Sequence, residues 1–276
     1  MFHKFYNRIE MESELVTMTS IHIGAGQESF RPSSVKSPLL KDIFGQPYIP
    51  GSSTKGVLRS FLESLQWNDK ECYMGERCAE SFSEGSKRKE HRQKLKDWGY
   101  KDLDYYTAQD ISAKSCIACR LFGSKVLAGK VKIADARIKT SDQIKTEVRK
   151  GNAIDRDTHT AVNNALFDVE TIPSGTVFGL TIVAENLTEE ETNIFGELME
   201  YFGAGNIMIG GSIRSGLGKI YLQNIKLKVI RREPGQFPKE KTETIKDIDQ
   251  YLKTLQMLLQ SSYAEAPKEV TGCLKN

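Results

Sequence analysis

The sequence predicts an α+β fold, a ferredoxin-like core carrying large insertions. Three observations lead there. Segments with strand and helix patterning follow one another as strand, helix, strand, long excursion, strands, helix, glycine-rich loop and strand, an order that suits a split βαβ arrangement. Two stretches, about 68–120 and 140–167, interrupt that order and read as insertions. The chain has 276 residues, 39% hydrophobic and 27% charged, which is enough for a sizeable core in one large domain or two small ones. The expected division is a domain over 1–235 followed by a C-terminal helical extension over 236–276.

Each element has its own signal. Residues 9–23 alternate and are rich in Ile, Leu, Val and Thr, the pattern of a strand that Gly24-Ala-Gly26 breaks. Residues 27–38 are polar with two prolines and read as an exposed loop. In Tyr48-Ile-Pro-Gly-Ser-Ser-Thr-Lys-Gly-Val-Leu-Arg59 an apolar run ends at Pro50, Gly51 permits a tight turn, and Ser52, Ser53 and Thr54 are N-cap candidates for a helix over 53–66. Its core side is Val57, Leu58, Phe61, Leu62 and Leu65. Residues 68–114 are strongly charged and suggest a helical insertion. Lys130–Ile138 alternates as a strand, 140–165 is polar and turn-rich, and 166–185 holds two strands around Pro173-Ser-Gly175. Thr188-Glu-Glu-Glu191 is a capping box before an amphipathic helix over 188–202, which Gly203 ends. Ile209-Gly-Gly-Ser-Ile-Arg-Ser-Gly-Leu-Gly218 leads into a last strand at 219–231, and 243–261 reads as a helix.

Charge and motifs narrow the chemistry. No apolar run approaches the roughly 18 residues of a membrane span, and the first residues lack the apolar core of a signal peptide, so a cytoplasmic protein is expected. The net charge of +3 is small. Cations nevertheless cluster, at Lys87–Lys96 and at Lys145, Arg149, Lys150 and Arg156. Lys55 and Arg59 lie four apart on one side of the helix that opens after Gly51. Backbone N–H groups, the hydroxyls of Ser52 and Ser53 and these two cations suit phosphate, although the glycine spacing of a Walker A loop is absent. A capped helix with solvated charges is the plainer account of the same residues. The glycine-rich segment with Arg214 is a second anion-site candidate, and a tight turn before the last strand is its plainer account.

The five cysteines are unevenly placed: Cys72 and Cys78, the CxxC pair Cys116 and Cys119, and Cys273. In a reducing compartment a disulfide framework is not expected. CxxC is a common zinc half-site, and Cys72 and Cys78 would supply the other half, with His91 able to replace either. Reduced structural cysteines are the alternative.

Together, Ile21-His-Ile-Gly-Ala-Gly26, the stretch Lys41–Arg59, Cys119-Arg-Leu-Phe-Gly-Ser124, Ala153–Thr160 and Ile209–Gly218 resemble the RAMP superfamily, and within it the backbone subunits of type III CRISPR effector complexes. The likeness runs from the first strand to the last. It implies an RRM-like core, a stack of such subunits along a CRISPR RNA, and partners that include target RNA and further RAMP subunits. It also implies that a hairpin thumb, about 140–167, pushes between bases of the guide–target duplex, while the loop before the first helix and the glycine-rich loop hold phosphates. Base pairing would read sequence and the protein would hold shape, as in other RNA-guided effectors. His22, following a strand, would face the RNA. His159 lies in the thumb.

One position departs from the pattern. Cleaving relatives carry an aspartate before Ser-Pro, whereas this chain reads Ser33-Ser-Val-Lys-Ser-Pro38. Lys36 stands at the place of the acid, and lysine is neither a carboxylate base nor a carboxylate metal ligand. The expected function is therefore guide and target binding without cutting, with Lys36 on a phosphate. An endoribonuclease acting on target or precursor RNA is the alternative.

Overall fold

The computed structural model describes residues 4–26, 37–65, 111–113, 115–139, 144–232, 236–247 and 250–260. Lys36, Cys72, Cys78, His91 and most of the charged insertion lie outside the described residues.

The fold is a mixed α+β structure with antiparallel sheets. The main sheet contains β1 (Asn7–Thr17), β2 (Tyr48–Ile49), β3 (Val131–Ile133), β4 (Ala136–Ile138), β7 (Val177–Glu185), β8 (Ile220–Arg231) and β9 (Lys239–Asp247). Its order is β2-β4-β7-β1-β8-β9, with β3 also paired to β7. A separate two-stranded sheet is formed by β5 (Glu147–Ile154) and β6 (Ala161–Thr171). The helices are α1 (Gly51–Ser64), α2 (Ile117–Phe122), α3 (Glu189–Gly203) and α4 (Tyr251–Gln260).

Strand alternation decides which face is covered. β1 buries Ile9, Met11 and Leu15, and β7 buries Phe178, Leu180, Ile182 and Ala184. In β8 the inward phase changes between Leu222 and Ile225. The register with β1 slips between Glu12 and Glu14, and Asn224 takes a left-handed φ of 50°. This bulge keeps Leu222, Ile225, Leu227 and Val229 all in the core. α1 contributes Leu58 and Leu62, and α3 contributes Phe195, Leu198, Met199 and Phe202. Phe61 and Tyr201 stack between these helices at 5.0 Å. The other face of the sheet carries Arg8, Glu10, Glu12 and Glu14 on β1. Ion pairs lace it: Arg8 and Lys132 to Glu185, Lys139 to Glu14, and Lys228 to Glu240. RNA-recognition modules use that open face, but here the glutamates of the central strand are each met by a cation, Glu10 by Arg8, Glu12 by Lys226 and Glu14 by Lys139, so the cations of this face are already paired.

Several elements differ from the sequence expectation. The first helix starts at Gly51, with Pro50 as N-cap and no side-chain cap, so the hydroxyls of Ser52–Thr54 do not cap it. The hairpin that the family likeness implies over about 140–167 is formed by β5 and β6, and its second strand runs on to Thr171. Residues 239–247 form an added edge strand where part of a helix was expected, and the helix begins only at Tyr251. Tyr251 and Leu255 are fully buried in the common core, and burial pushes the Tyr251 phenol well above its ordinary value. The α3 start is as expected: Thr188 accepts from Glu191 N, and Glu191 accepts from Thr188 N at 2.9 Å.

Candidate nucleic-acid interface

The segment between β1 and α1 organises the interface. Ile21 bridges Ile172 at the end of β6, and Gly24 bridges Leu39. Ala25 N donates to Pro38 O at 3.1 Å, and Ser37 N donates to Asp168 O at 3.1 Å. The described residues on either side of the segment 27–36, which includes Lys36, are thus fastened side by side at the root of the β5–β6 hairpin.

Glu170 is the knot at that root. Its Oε2 accepts from Leu39 N at 3.0 Å, and its Oε1 accepts from Lys41 Nζ and Thr146 Oγ1, each at 2.6 Å. Burial pushes this carboxyl up, but the hydrogen bonds from Lys41, Thr146 and the Leu39 amide outweigh it and hold Glu170 below its ordinary value. Arg149 of β5 adds a second tie, donating from Nη2 to Ser20 Oγ at 3.0 Å. The hairpin tip is preset: Asp155 Oδ1 accepts from Asp157 N, Thr158 N and Thr158 Oγ1, and His159 sits at φ 54°.

The glycine-rich loop docks on the same segment. Gly211 N donates to His22 O at 2.8 Å, and Gly218 N donates to Ser20 O at 3.0 Å. A Cβ on Gly210 would overlap the His22 carbonyl oxygen, so glycine is required there for close approach as well as for its φ of 93°. The His22 ring is buried, with Nδ1 2.7 Å from Glu170 O. Since a carbonyl only accepts, Nδ1 carries the proton in this contact. Residues 211–216, Arg214 among them, are exposed on a short 3-10 turn, Ile213–Ser215.

The start of α1 is held differently. Gly51 N donates to Asp135 Oδ1 at 2.8 Å, so one free amide of the helix start already has a carboxylate. Lys55 is half-buried, and burial, then the charge of Arg59, lowers its pKa. Arg59 is engaged three times within the fold: Nε to Glu63 at 2.8 Å, Nη1 to Gly123 O at 2.7 Å and Nη2 to Cys119 Sγ at 3.5 Å. Each nitrogen of Arg59 thus has an internal partner; Nη1 and Nη2 each carry two N–H donors, so these contacts neither require nor remove its expected role on phosphate. Cys116 and Cys119 are buried at the start of α2. Among the described residues no group of three ligating side chains converges.

These features form one surface: a hairpin, a glycine-rich loop and the root of the Lys36 loop joined through residues 20–24 and 37–41. The RAMP superfamily model matches residues 14–221, which spans all of them. The chain belongs to the RAMP superfamily. Two relatives called CRISPR system Cms endoribonuclease Csm3 are similar over most of its length. The one from Methanocaldococcus jannaschii is 24% identical over 230 residues, 80% of each chain. The one from Streptococcus thermophilus is 24% identical over 245 residues, 82% of this chain and 91% of the relative. A crystal structure of a Csm3-Csm4 subcomplex in the type III-A CRISPR-Cas interference complex matches with a TM-score of 0.52 at 17% identity, covering 92% of this chain and 97% of the other.

Within this RAMP chain the structure brings together His22, Arg149 and the loop of Arg214. Lys150 and Arg156 lie exposed along the hairpin, Ser52 is exposed and Ser53 half-buried on α1. Asp42 shapes a turn, accepting from Phe44 N and Gln46 N. Sequence reasoning missed Glu170, Asp135, Ser20 and Lys41. Their partners are distant in the chain, 84 residues apart for Asp135 and Gly51 and 131 for Glu170 and Leu39, and even Thr146 lies 24 residues from Glu170, so no local pattern announces them.

Proposed function

We propose that this chain is an RNA-binding backbone subunit of a type III CRISPR ribonucleoprotein, holding CRISPR RNA and the guide–target duplex for antiviral defence. The observation that carries the reading is the β5–β6 hairpin, standing off the main sheet yet rooted through Arg149 and Glu170 on the segment that carries the glycine-rich loop. Such a hairpin serves as the thumb. The likeness to proteins named Csm3 over about four fifths of the chain supports the setting, with CRISPR RNA, target RNA and further RAMP subunits as partners. The core is ferredoxin-like, a reading supported by the β4-β7-β1-β8 order with α1 and α3 as the crossovers. No helix among the described residues is long and apolar enough to cross a membrane, which agrees with a cytoplasmic subunit. Lys55, Arg214, Lys150 and Arg156 contact phosphates, Ser52 and Ser53 lend hydroxyls, and His22 fixes the loop that presents Arg214. A structural zinc on Cys116 and Cys119, completed by Cys72 and Cys78 with His91 able to replace either, pins the charged insertion to the core. Metal analysis of the purified chain tests that part: one zinc per chain is expected, and far less removes it.

The subunit binds target without cutting it, because Lys36 replaces the acid of cleaving relatives. The second reading, an endoribonuclease, is favoured by the names of the relatives. One assay addresses both. Labelled RNA is titrated at several salt concentrations with the unmodified chain and with Lys55→Ala/Arg214→Ala, and magnesium or manganese is then added to the assembled complex. The double variant should bind unrelated sequences more weakly, and its salt slope should fall by about one per lost phosphate contact. An unchanged slope overturns the phosphate assignment. Target RNA should stay intact opposite this subunit, and metal-dependent cuts there establish the nuclease reading instead.

A further inference from the structure

The hairpin carries an aromatic ring that the interface above does not use. Phe167 of β6 lies directly opposite Gly151 of β5. Its ring is laid across that glycine, in the space a Cβ would fill. Covering a strand glycine with an aromatic ring stabilises a hairpin and accounts for one side of Phe167. It does not account for the other, since Phe167 remains 48% exposed. Gly151 is two residues from Arg149, so ring and guanidinium stand on the same face of the hairpin. Arg149 is anchored to Ser20, and β6 is anchored beside Ser37. The ring is therefore a held, flat apolar surface next to a cation, close to the root of the Lys36 loop.

We propose that Phe167 is a stacking platform for one unpaired nucleobase of bound RNA. A base presents a π-face to the ring, and its own phosphate lies within reach of the neighbouring cations; aromatic rings beside basic side chains hold single-stranded RNA in this way. The site is in the body of the hairpin, not at its tip. This inference rests on the RNA-binding reading above and deepens it by naming a subsite.

The experiment uses single-stranded RNAs carrying 2-aminopurine at successive positions, with the full chain and with Phe167→Ala, Phe167→Leu and Phe167→Trp. Leucine still covers Gly151, so a loss common to Ala and Leu does not come from a collapsed hairpin. Affinity should fall roughly 5- to 150-fold with Ala, as expected for one lost base stack, should fall with Leu, and should be kept with Trp. The slope of affinity against salt should stay unchanged, because no phosphate contact is removed. One 2-aminopurine position should be quenched in the unmodified chain and restored to brightness with Leu. If the unmodified chain binds RNA with ordinary salt dependence while Ala and Leu leave affinity and fluorescence unchanged, the platform is wrong and the RNA reading stands. If those variants instead lose only association with other protein subunits, Phe167 belongs to a protein contact and the proposal fails. If the unmodified chain binds no RNA, the RNA reading itself fails, and the platform with it.

Discussion

Arg59 illustrates how much a single residue's neighbours decide. Helical spacing correctly placed it on the same side of α1 as Lys55, and spacing alone made the two a pair. In the fold Arg59 ties α1 to the Gly123 carbonyl, with Glu63 and Cys119 also in its reach. Burial pulls its pKa down, but Glu63 and Cys119 outweigh that and hold it above the ordinary value. Arg59→Ala leaves the Gly123 carbonyl without that donor, so it should destabilise the chain by about 1–3 kcal/mol in denaturant unfolding, whereas Lys55→Ala should leave the midpoint nearly unchanged and act on RNA affinity. Equal midpoints for the two variants would contradict the division. Glu14 gives a prediction in pH. Hydrogen bonds from Lys139, Asn224 and Gln223 lower its pKa from 4.5 to about 2. A carboxyl depressed on folding contributes stability above its unfolded pKa and loses it as pH falls through the folded one. Unfolding measured between about pH 5 and pH 2 should therefore show a fall in stability that Glu14→Gln makes shallower, and parallel curves would remove Glu14 from that account.

At the scale of elements, legibility followed the locality of the signal. The α3 start was readable because its capping box is contained in Thr188–Glu191. Strands β7 and β8 were readable because one face is buried and apolar residues repeat. β5 was not, and β6 was readable only in its second half: residues of β5 are exposed on both faces, so no apolar alternation marks it, and the hairpin itself was expected only from the family likeness. β9, with the sequence Lys-Glu-Lys-Thr-Glu-Thr-Ile-Lys-Asp, is a polar edge strand that pairs only because β8 offers it a partner. The α1 start was misplaced by a few residues because its first amide is satisfied by Asp135, far along the chain. Glu191 shows an element serving two roles. It closes the capping box and also meets Lys130 Nζ at 2.6 Å, both side chains being almost wholly buried. Thr188→Ala removes a cap and should cost about 1 kcal/mol. Glu191→Ala also strands a buried ammonium and should cost about 3–5 kcal/mol. Denaturant midpoints that rank the two variants the other way would refute this account of α3.

The whole molecule separates a rigid frame from a working edge. The helix-covered sheet is closed by its core, its opposite face is neutralised by ion pairs, and the glycine-rich loop, the Lys36 loop root and the hairpin gather at one end. The sequence motifs marked these parts individually, and the long-range ties through Glu170, Ser20 and the His22 backbone join them. The central claim is that this end holds guide RNA within a larger complex. The most direct measurement is purification of the tagged chain from its native cells, with sequencing of the bound RNA and identification of the bound proteins. The account predicts short CRISPR-derived RNAs together with other RAMP subunits, and a loss of that RNA when the hairpin 147–168 is replaced by a short glycine linker. A chain that comes out without RNA, or with only random fragments that survive loss of the hairpin, would contradict it.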